Sequence, residues 1–324
     1  MAPKTEFASL TRSLDYVRDV KWRNNRLHVG RTGAEIKLDR YFFSSFVSAT
    51  ELYMYLVGLR ASRIARFAKP KEKIAFFPEH ASPWYNIWSV AQMAGFAITS
   101  DLEEADYIFL FEDNTYSNAA ARLPEHLRGR LINDRCVNIS KQLVANVFED
   151  VFGYQLSVDP TTHKGPAVRK SQANGLHDGT VIDCPIPREE MTPGYVYQRL
   201  VNSSNDGERS EDLRFAYTID EIPVVFHKYK ALDKRFGTQY LSVNLLSAEE
   251  AFSAEELKGL HEVCNRIGLD FGAVDVMRDV DDGRIYVVDI NKTCMPVLSL
   301  PLGRLIKAFQ RISDTFVERL DANA

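Results

Sequence analysis

The chain has 324 residues, of which 45% are hydrophobic and 26% charged, a composition typical of globular proteins with two or three domains. The formal net charge of −4 argues against a nucleic-acid partner, and the lack of an apolar run of about 18 residues argues against a transmembrane segment. The four cysteines are widely spaced and form no CxxC pair, so we expect free thiols and no zinc site. Since the first residues also lack the apolar core of a secretory signal, we expect a cytoplasmic protein.

The first long predicted element is a helix over residues 43–67, FSSFVSATELYMYLVGLRASRIARF. Because Arg60, Arg63 and Arg66 accompany apolar residues, one hypothesis is a helix that lies on a membrane surface. We prefer a packing or dimer helix, because the apolar positions suit core packing and arginines suit a helix C-terminus. This interpretation allows a homodimer.

A small parallel α/β layer is predicted next. Residues 74–80 (IAFFPEH) and 105–113 (ADYIFLFED) have the composition of buried strands. Residues 83–96 between them have a helical pattern, with Pro83 suited to the first helical position. A strand, a helix and a strand at this spacing indicate two parallel strands joined by a helical crossover.

A second helix is predicted over residues 140–153, with Ser140 as its N-cap and Gly153 after its end. From Pro160 onwards the pattern changes to short strands and turns, including strands within residues 165–186 and 194–202. The sequence then predicts a hairpin over 212–230 and a capped helix over 253–268.

The last predicted hairpin, residues 269–291, ends in the unusual strand RIYVVDIN. If the turn DVDDG has an odd number of residues, Asp275 pairs with Val287, and Asp289 is its diagonal neighbour. Side chains alternate along a strand, so Asp275, Asp289 and Asn291 would then share one face. An even turn would place Asp275 on the other face.

Two carboxylates and an amide on one face are ligands that suit Mg²⁺ or Mn²⁺, usually together with phosphate oxygens. The alternative is a solvent-facing strand with hydrated polar side chains. Four basic residues upstream could accompany such a site: Lys141, Lys170, Arg214 and Lys228. Lys170 precedes a loop rich in Gly, Asn and Asp, whose N–H groups can bind phosphate. Alone, each cation is typical of a protein surface, and neither GxxxxGK[ST] nor GxGxxG occurs.

The order of these features over residues 137–296 resembles the ATP-grasp superfamily. Lys141 and Lys170 are similar to its two phosphate-binding lysines, the second ahead of a flexible loop. YVYQRLVN resembles the hinge between the two lobes. The positions that would border adenine are Gln198, Arg199, Leu200 and Val201.

The same resemblance assigns roles to the later residues. EDLRF is similar to an acidic-x-Arg element, which implies Asp212 near the ribose and a catalytic Arg214 at the transferred phosphate. Lys228 stands where the family places a cation that contacts phosphate, which implies a catalytic role for it as well. The implied metal ligands are Asp275, Asp289 and Asn291. Two departures are the aspartate at 289, where many members have glutamate, and only one glycine, Gly175, between Lys170 and Asp178.

The resemblance implies an α/β (α+β) fold of two ATP-grasp lobes behind an N-terminal helical segment and a small parallel α/β domain. The expected domains are an N-terminal helical segment (1–68), a small α/β domain (69–136), an ATP-grasp small lobe (137–199) and a large lobe with the metal site (200–324).

The implied activity is a ligase that joins a small-molecule carboxylate to an amine with ATP and Mg²⁺ or Mn²⁺, through an acyl phosphate. Two alternatives stay open: a small-molecule kinase on the same scaffold, and a nucleotide-binding module without turnover. The segment VFGYQLSVDPTTHKG also resembles ATP-grasp proteins associated with bacterial surface polysaccharides.

Overall fold

The structure, a computed structural model, describes residues 20–23, 26–29, 35–67, 72–176 and 178–323. Contacts between residues divide the chain into two compact units. The first unit contains the described residues of Met1–Asp113 together with Asn118–Asp134 and Thr293–Ala324, and the second contains Asn114–Ser117 and Arg135–Lys292. Residues 293–324, predicted as part of the large lobe, therefore group with the first unit. The other predicted domain boundaries stay predictions.

The first unit begins with a small antiparallel sheet of order β1-β2-β3. Its strands are β1 (Val20–Arg23), β2 (Arg26–Val29) and β3 (Glu35–Lys37). The segment predicted to be helical, residues 1–68, thus also contains strands in its described part. Val and Trp in β1 are residues that favour strands, which explains the difference.

Helix α1 (Arg40–Ala65) follows, and the Asp39 side chain caps it by accepting a hydrogen bond from Phe42 N at 3.0 Å. Among the described residues, α1 alone is long and apolar enough to cross a membrane, with a mean hydropathy of 1.2 over its most apolar window. The expected absence of a transmembrane segment therefore stays a prediction. Cytoplasmic location also stays one.

The predicted parallel α/β layer is confirmed as a four-stranded parallel sheet of order β5-β4-β6-β7. Its elements are β4 (Lys73–Pro78), α2 (Asn86–Ala94), β5 (Ala97–Thr99), β6 (Tyr107–Phe111) and β7 (Leu131–Ile132). The predicted position of Pro83 at the first helical residue was wrong, because α2 begins at Asn86. Tyr85 N donates to Ser82 O at 3.1 Å, which makes Pro83 the second residue of a turn, where proline is also favoured. The C-terminal helix α6 (Leu302–Asn323) packs on α2.

The second unit begins with helix α3 (Lys141–Phe152), whose ends are as predicted. The Ser140 side chain accepts a hydrogen bond from Leu143 N, and Gly153 has the left-handed backbone conformation of a helix C-cap. A three-stranded antiparallel sheet of order β10-β8-β9 follows. Its strands are β8 (Gly165–Ser171), β9 (Thr180–Cys184) and β10 (Tyr195–Arg199).

An antiparallel five-stranded sheet of order β13-β12-β11-β14-β15 forms the largest part of this unit. Its strands and helices are β11 (Arg209–Thr218), β12 (Val225–Ala231), β13 (Ser242–Leu246), α4 (Ala248–Ala251), α5 (Ala254–Ile267), β14 (Phe271–Arg278) and β15 (Ile285–Asn291). The capping box predicted for α5 is present at Ser253 and Glu256. Apolar side chains of α3 and α5 bury one face of the sheet against residues such as Phe215 and Val274. The opposite face carries polar side chains.

Gly272 permits the close approach of β14 to the end of β15. A Cβ atom at this position would lie 2.7 Å from Asn291 O, a main-chain contact that cannot relax by a rotamer change. We therefore expect Gly272→Ala to lower the free energy of unfolding by about 1–3 kcal/mol through overpacking.

Urea denaturation measures this effect, and Gly303→Ala in α6 is the matched control. A Cβ at Gly303 meets nothing within 4 Å, so alanine there should be neutral or stabilising. Equal stability of the Gly272→Ala variant and the wild type would contradict the close approach.

Candidate functional site

A β-bulge in the hairpin of β14 and β15 decides which side chains reach the polar face of the five-stranded sheet. Nearer the turn, Val276 pairs with Val287. Between Val276 and Asp275 the register shifts, so that Asp275 lies opposite Asp289 and Val288 becomes the extra residue. Such an extra residue is left unpaired by the ladder.

The bulge turns Asp289 out of the core. In a regular ladder Asp289 would lie opposite Val274, whose side chain is fully buried among apolar residues. Burial of an unpaired carboxylate among these apolar residues would greatly raise the free energy of the folded state. The shift by one residue reverses its direction, and Asn291, two residues later, shares its face.

The predicted register was wrong, although the predicted shared face is present. The sequence predicted Asp275 opposite Val287 across an odd turn. The turn has an even number of residues instead, because Arg278 pairs with Ile285. A regular ladder would then separate the two aspartates, and the bulge brings them back to one face.

Two cations neutralise Asp275. Lys228 Nζ lies 2.7 Å from Oδ1 of this carboxylate, and the Arg214 guanidinium lies 3.1 Å from Oδ2. Burial opposes the charge of Asp275, but Arg214 and Lys228 outweigh it and hold its pKa well below the ordinary range. Burial likewise opposes the charge of Lys228, and Asp275 outweighs it and raises the pKa. Both predicted cations therefore lie at the predicted carboxylate.

Lys230 and Tyr240 extend this cluster, and the sequence analysis missed both. Lys230 Nζ lies 3.0 Å from Oδ2 of Asp212, and Lys228 Nζ lies 3.8 Å from the same atom. The Tyr240 ring centroid is 5.4 Å from the Lys228 ammonium and 5.5 Å from that of Lys230. The spacing of two residues along β12 was a signal for Lys230. Tyr240 lies outside the strands and had none.

Lys170 on β8 reaches the bulge from the three-stranded sheet. Its ammonium donates to the carbonyl of Val288, the extra residue, at 2.9 Å. Burial lowers the pKa of Lys170 to about 8, and Lys141 acts in the same direction, while Asp289 opposes the shift. The lysine therefore lies in the electrostatic field of the predicted metal ligand.

The loop after Lys170 is held against the same strand. Asn174 Nδ2 donates to Ile290 O at 2.8 Å, and Asn174 N donates to Thr115 Oγ1 at 2.9 Å. Lys141 Nζ donates to Ala173 O at 2.8 Å from the start of α3. The two lysines that the sequence assigned to phosphate thus donate hydrogen bonds to main-chain and amide oxygens.

The predicted adenine positions lie where β10 ends. Pairing of β10 with β8 stops at Arg199, so the main chain of Leu200 and Val201 lies beyond the ladder. Gln198 is buried, and the Arg199 side chain binds Asp279 at 2.8 Å. The Arg199 side chain therefore supports the turn between β14 and β15, and its contact with adenine stays a prediction for the main chain.

The donors present fit a divalent cation that also binds phosphate. Asp275 and Asp289 lie directly opposite each other, so their carboxylates and the Asn291 amide offer oxygen ligands on one face of the sheet. Within the described ranges no group of three His, Cys, Asp or Glu residues could hold a metal. Two carboxylates and the amide of Asn291 therefore leave positions for other oxygens, as is usual for Mg²⁺.

Comparisons with known proteins find similarity only in structure. No family model and no curated protein matches the chain. VanG D-Ala:D-Ser ligase from Enterococcus faecalis is 12% identical, with a TM-score of 0.49 over 76% of this chain and 99% of that one. D-alanine–D-alanine ligase from Bacillus anthracis, complexed with ATP, is 13% identical, with a TM-score of 0.47 over 78% and 98%.

A third similar structure is the ATP-grasp ligase PsnB complexed with a minimal precursor, Mg and ADP. It is 13% identical, with a TM-score of 0.47 over 74% of this chain and 96% of that one. The chain is similar to these three ligases in structure alone, at 12–13% identity. The resemblance to a surface-polysaccharide subgroup stays a prediction.

The lowered pKa of Lys170 predicts a pH-dependent penalty on stability. The unfolded chain titrates Lys170 near the ordinary 10.5 and the folded protein near 8, so the unfolded state binds more protons between these values. The penalty is therefore full below pH 8 and falls as the pH rises towards 10.5. We expect the free energy of unfolding of Lys170→Met, relative to that of the wild type, to be highest at pH 7. This difference should fall as the pH rises and be lost by pH 10.

Urea denaturation of both proteins from pH 7 to pH 10 tests this expectation. Lys234→Met, at an exposed lysine, is the control and should show no such trend. A difference between Lys170→Met and the wild type that is constant over this pH range would contradict the burial of the charge.

Proposed function

We propose that the protein is an ATP-dependent ligase that joins a carboxylate to an amine and releases ADP and phosphate. One observation carries the proposal: cationic side chains outnumber carboxylates around the paired aspartates of β14 and β15. The cations are Lys141, Lys170, Arg214, Lys228 and Lys230, and the carboxylates are Asp178, Asp212, Asp275 and Asp289.

The surplus of positive charge fits a polyanionic ligand. Arg214 and Lys228 are matched by Asp275, and Lys230 by Asp212. Lys141 and Lys170 instead donate to main-chain carbonyls, which are weaker partners than phosphate oxygens. A triphosphate can therefore take over both lysines, and its charge would restore the pKa of Lys170 towards the ordinary value.

Asp275, Asp289 and Asn291 are the residues that would hold Mg²⁺ or Mn²⁺ in this ligase. A divalent ion in this position supplies positive charge to the phosphate oxygens of the nucleotide. Arg214 lies beside Asp275 and would stabilise charge on the transferred phosphoryl group. Lys228 holds Asp275 in its ionised form.

The proposed reaction has two steps, phosphorylation of the carboxylate and displacement of phosphate by the amine. A substrate carboxylate oxygen attacks the γ-phosphorus of ATP, the bond to the β–γ bridging oxygen breaks, and ADP leaves with an acyl phosphate formed. An amine then attacks the acyl carbon, loses a proton, and displaces phosphate. Positioning and charge stabilisation account for this chemistry, so no nucleophilic side chain is required.

We expect Asp289→Ala to lower ADP formation by at least about 100-fold, because it removes a proposed metal ligand, while the fold is retained. Asp289→Glu should keep measurable turnover, since the carboxylate remains. Asp233→Ala, at an exposed aspartate of the same unit, is the matched control. Full activity of Asp289→Ala would refute the metal site.

To identify the two substrates, the protein is incubated with ATP, Mg²⁺ and pools of carboxylates, amines and peptides. ADP, free phosphate and mass-shifted products are then measured in the same samples. Peptides are included because PsnB was solved with a peptide-like precursor. A ligase releases free phosphate, and a carboxylate labelled with ¹⁸O passes one label to it. A phosphorylated product without free phosphate would support the kinase instead, and nucleotide binding without ADP would support the inactive module.

A further inference from the structure

The outward side of helix α1 carries a stripe that is apolar apart from Thr50 and runs along most of the helix. Its residues follow one another at alternating intervals of four and three, and all of them are exposed. We call this stripe the α1 seam, and it consists of Phe43, Val47, Thr50, Met54, Val57, Ala61 and Ile64. From its first to its last residue the seam is about 32 Å long at 1.5 Å per residue.

The opposite side of α1 is fixed to the rest of the first unit. Leu52 and Leu56 are the buried residues of the helix, and α1 packs on α2 and α6. The Arg63 guanidinium donates to Gln92 O and Met93 O, at 2.5 and 2.6 Å, at the C-terminal end of α2. Because these contacts set the rotation of α1, the seam cannot turn inwards.

The geometry points to a second copy of this chain as the partner of the α1 seam. Apolar residues repeated every 3.5 residues are the pattern by which two helices pack along their length. A closed two-fold pair places the seam of one copy against the same seam of the other. No charged residue lies in the seam, so pairing two copies brings no like charges together within it.

The exposed apolar area is sufficient for a dimer at the lower limit of specific interfaces. Phe43 is 58% exposed, Met54 60% and Ile64 64%, and Phe46 and Tyr53 widen the seam on one side. With rings of about 200 Å² and aliphatic side chains somewhat smaller, the stripe offers roughly 600–700 Å² per copy. Two copies would bury about 1,200–1,400 Å², within the range of stable interfaces.

A lipid bilayer fits this helix less well. A spanning segment would have to withdraw Leu52, Leu56 and the Arg63 hydrogen bonds from the folded unit. A helix lying in a membrane surface presents a wide apolar face and keeps a basic face in water. In α1 the side opposite the seam is packed against protein, and Glu51 borders the seam.

The test compares the wild type with the double variant Val47→Glu, Met54→Glu by light scattering after gel filtration. We expect the wild type to have twice the 36.9 kDa mass of the chain at micromolar concentration. The double variant should be monomeric, with a dissociation constant raised more than tenfold and an unchanged circular dichroism spectrum. Val137→Glu, at a valine 48% exposed in the second unit, is the matched control and should stay dimeric.

A second measurement does not depend on the stability of these variants. All four native cysteines are buried, so Thr50→Cys adds an exposed thiol to the seam for a spin label. Spin-label distances between two copies should show a single short population, which is lost on dilution with unlabelled protein.

Two results would overturn the inference: a monomeric wild type, or a double variant that dimerises as well as the wild type. If the monomeric wild type also floats with vesicles of anionic lipid, the seam is assigned to a membrane. The inference does not depend on the proposed ligase activity.

Discussion

Two aspartates that face each other across neighbouring strands set the conditions for the rest of the second unit. Their mutual repulsion destabilises the sheet unless cations lie close by, and β11 and β12 supply them in the form of Arg214 and Lys228. The strand order β12-β11-β14-β15 brings these groups together, because Arg214 is the ladder partner of Asp275. The order of the strands in the sheet therefore determines which charged groups meet at the site.

Much of the second unit follows from local sequence signals. The capped helices α3 and α5, the strands of both sheets except β13, and the polar face of the last hairpin were predictable, because caps and alternation act over a few residues. The bulge at Val288 was not, since nothing in VVDIN distinguishes a regular strand from one with an extra residue. The error in register shows that side chains can share a predicted face although the predicted strand pairing is wrong.

Residues placed by tertiary contacts were the least predictable. Lys230 and Tyr240 join the site through Asp212 and Lys228, partners that are distant in sequence or lie on other strands. Pro83 suited two local structures, a helix start and a turn, and the Ser82–Tyr85 hydrogen bond selected the turn. The described strands before α1 were missed because the helical pattern dominated that segment.

The hydrogen bonds of Asn174 and Lys141 hold the loop after β8 against strand β15 and the start of helix α3. In the proposed ligase, a nucleotide would replace these hydrogen-bond acceptors, and a loop already held in this way would lose little main-chain entropy on binding. Loops that order only on binding spend part of the interaction energy on that ordering. The loop after β8 would instead have to open its hydrogen bonds before a ligand binds, so we expect binding to begin slowly. Binding should also be selective for ligands that can replace the carbonyls of Ala173 and Val288 as partners of Lys141 and Lys170.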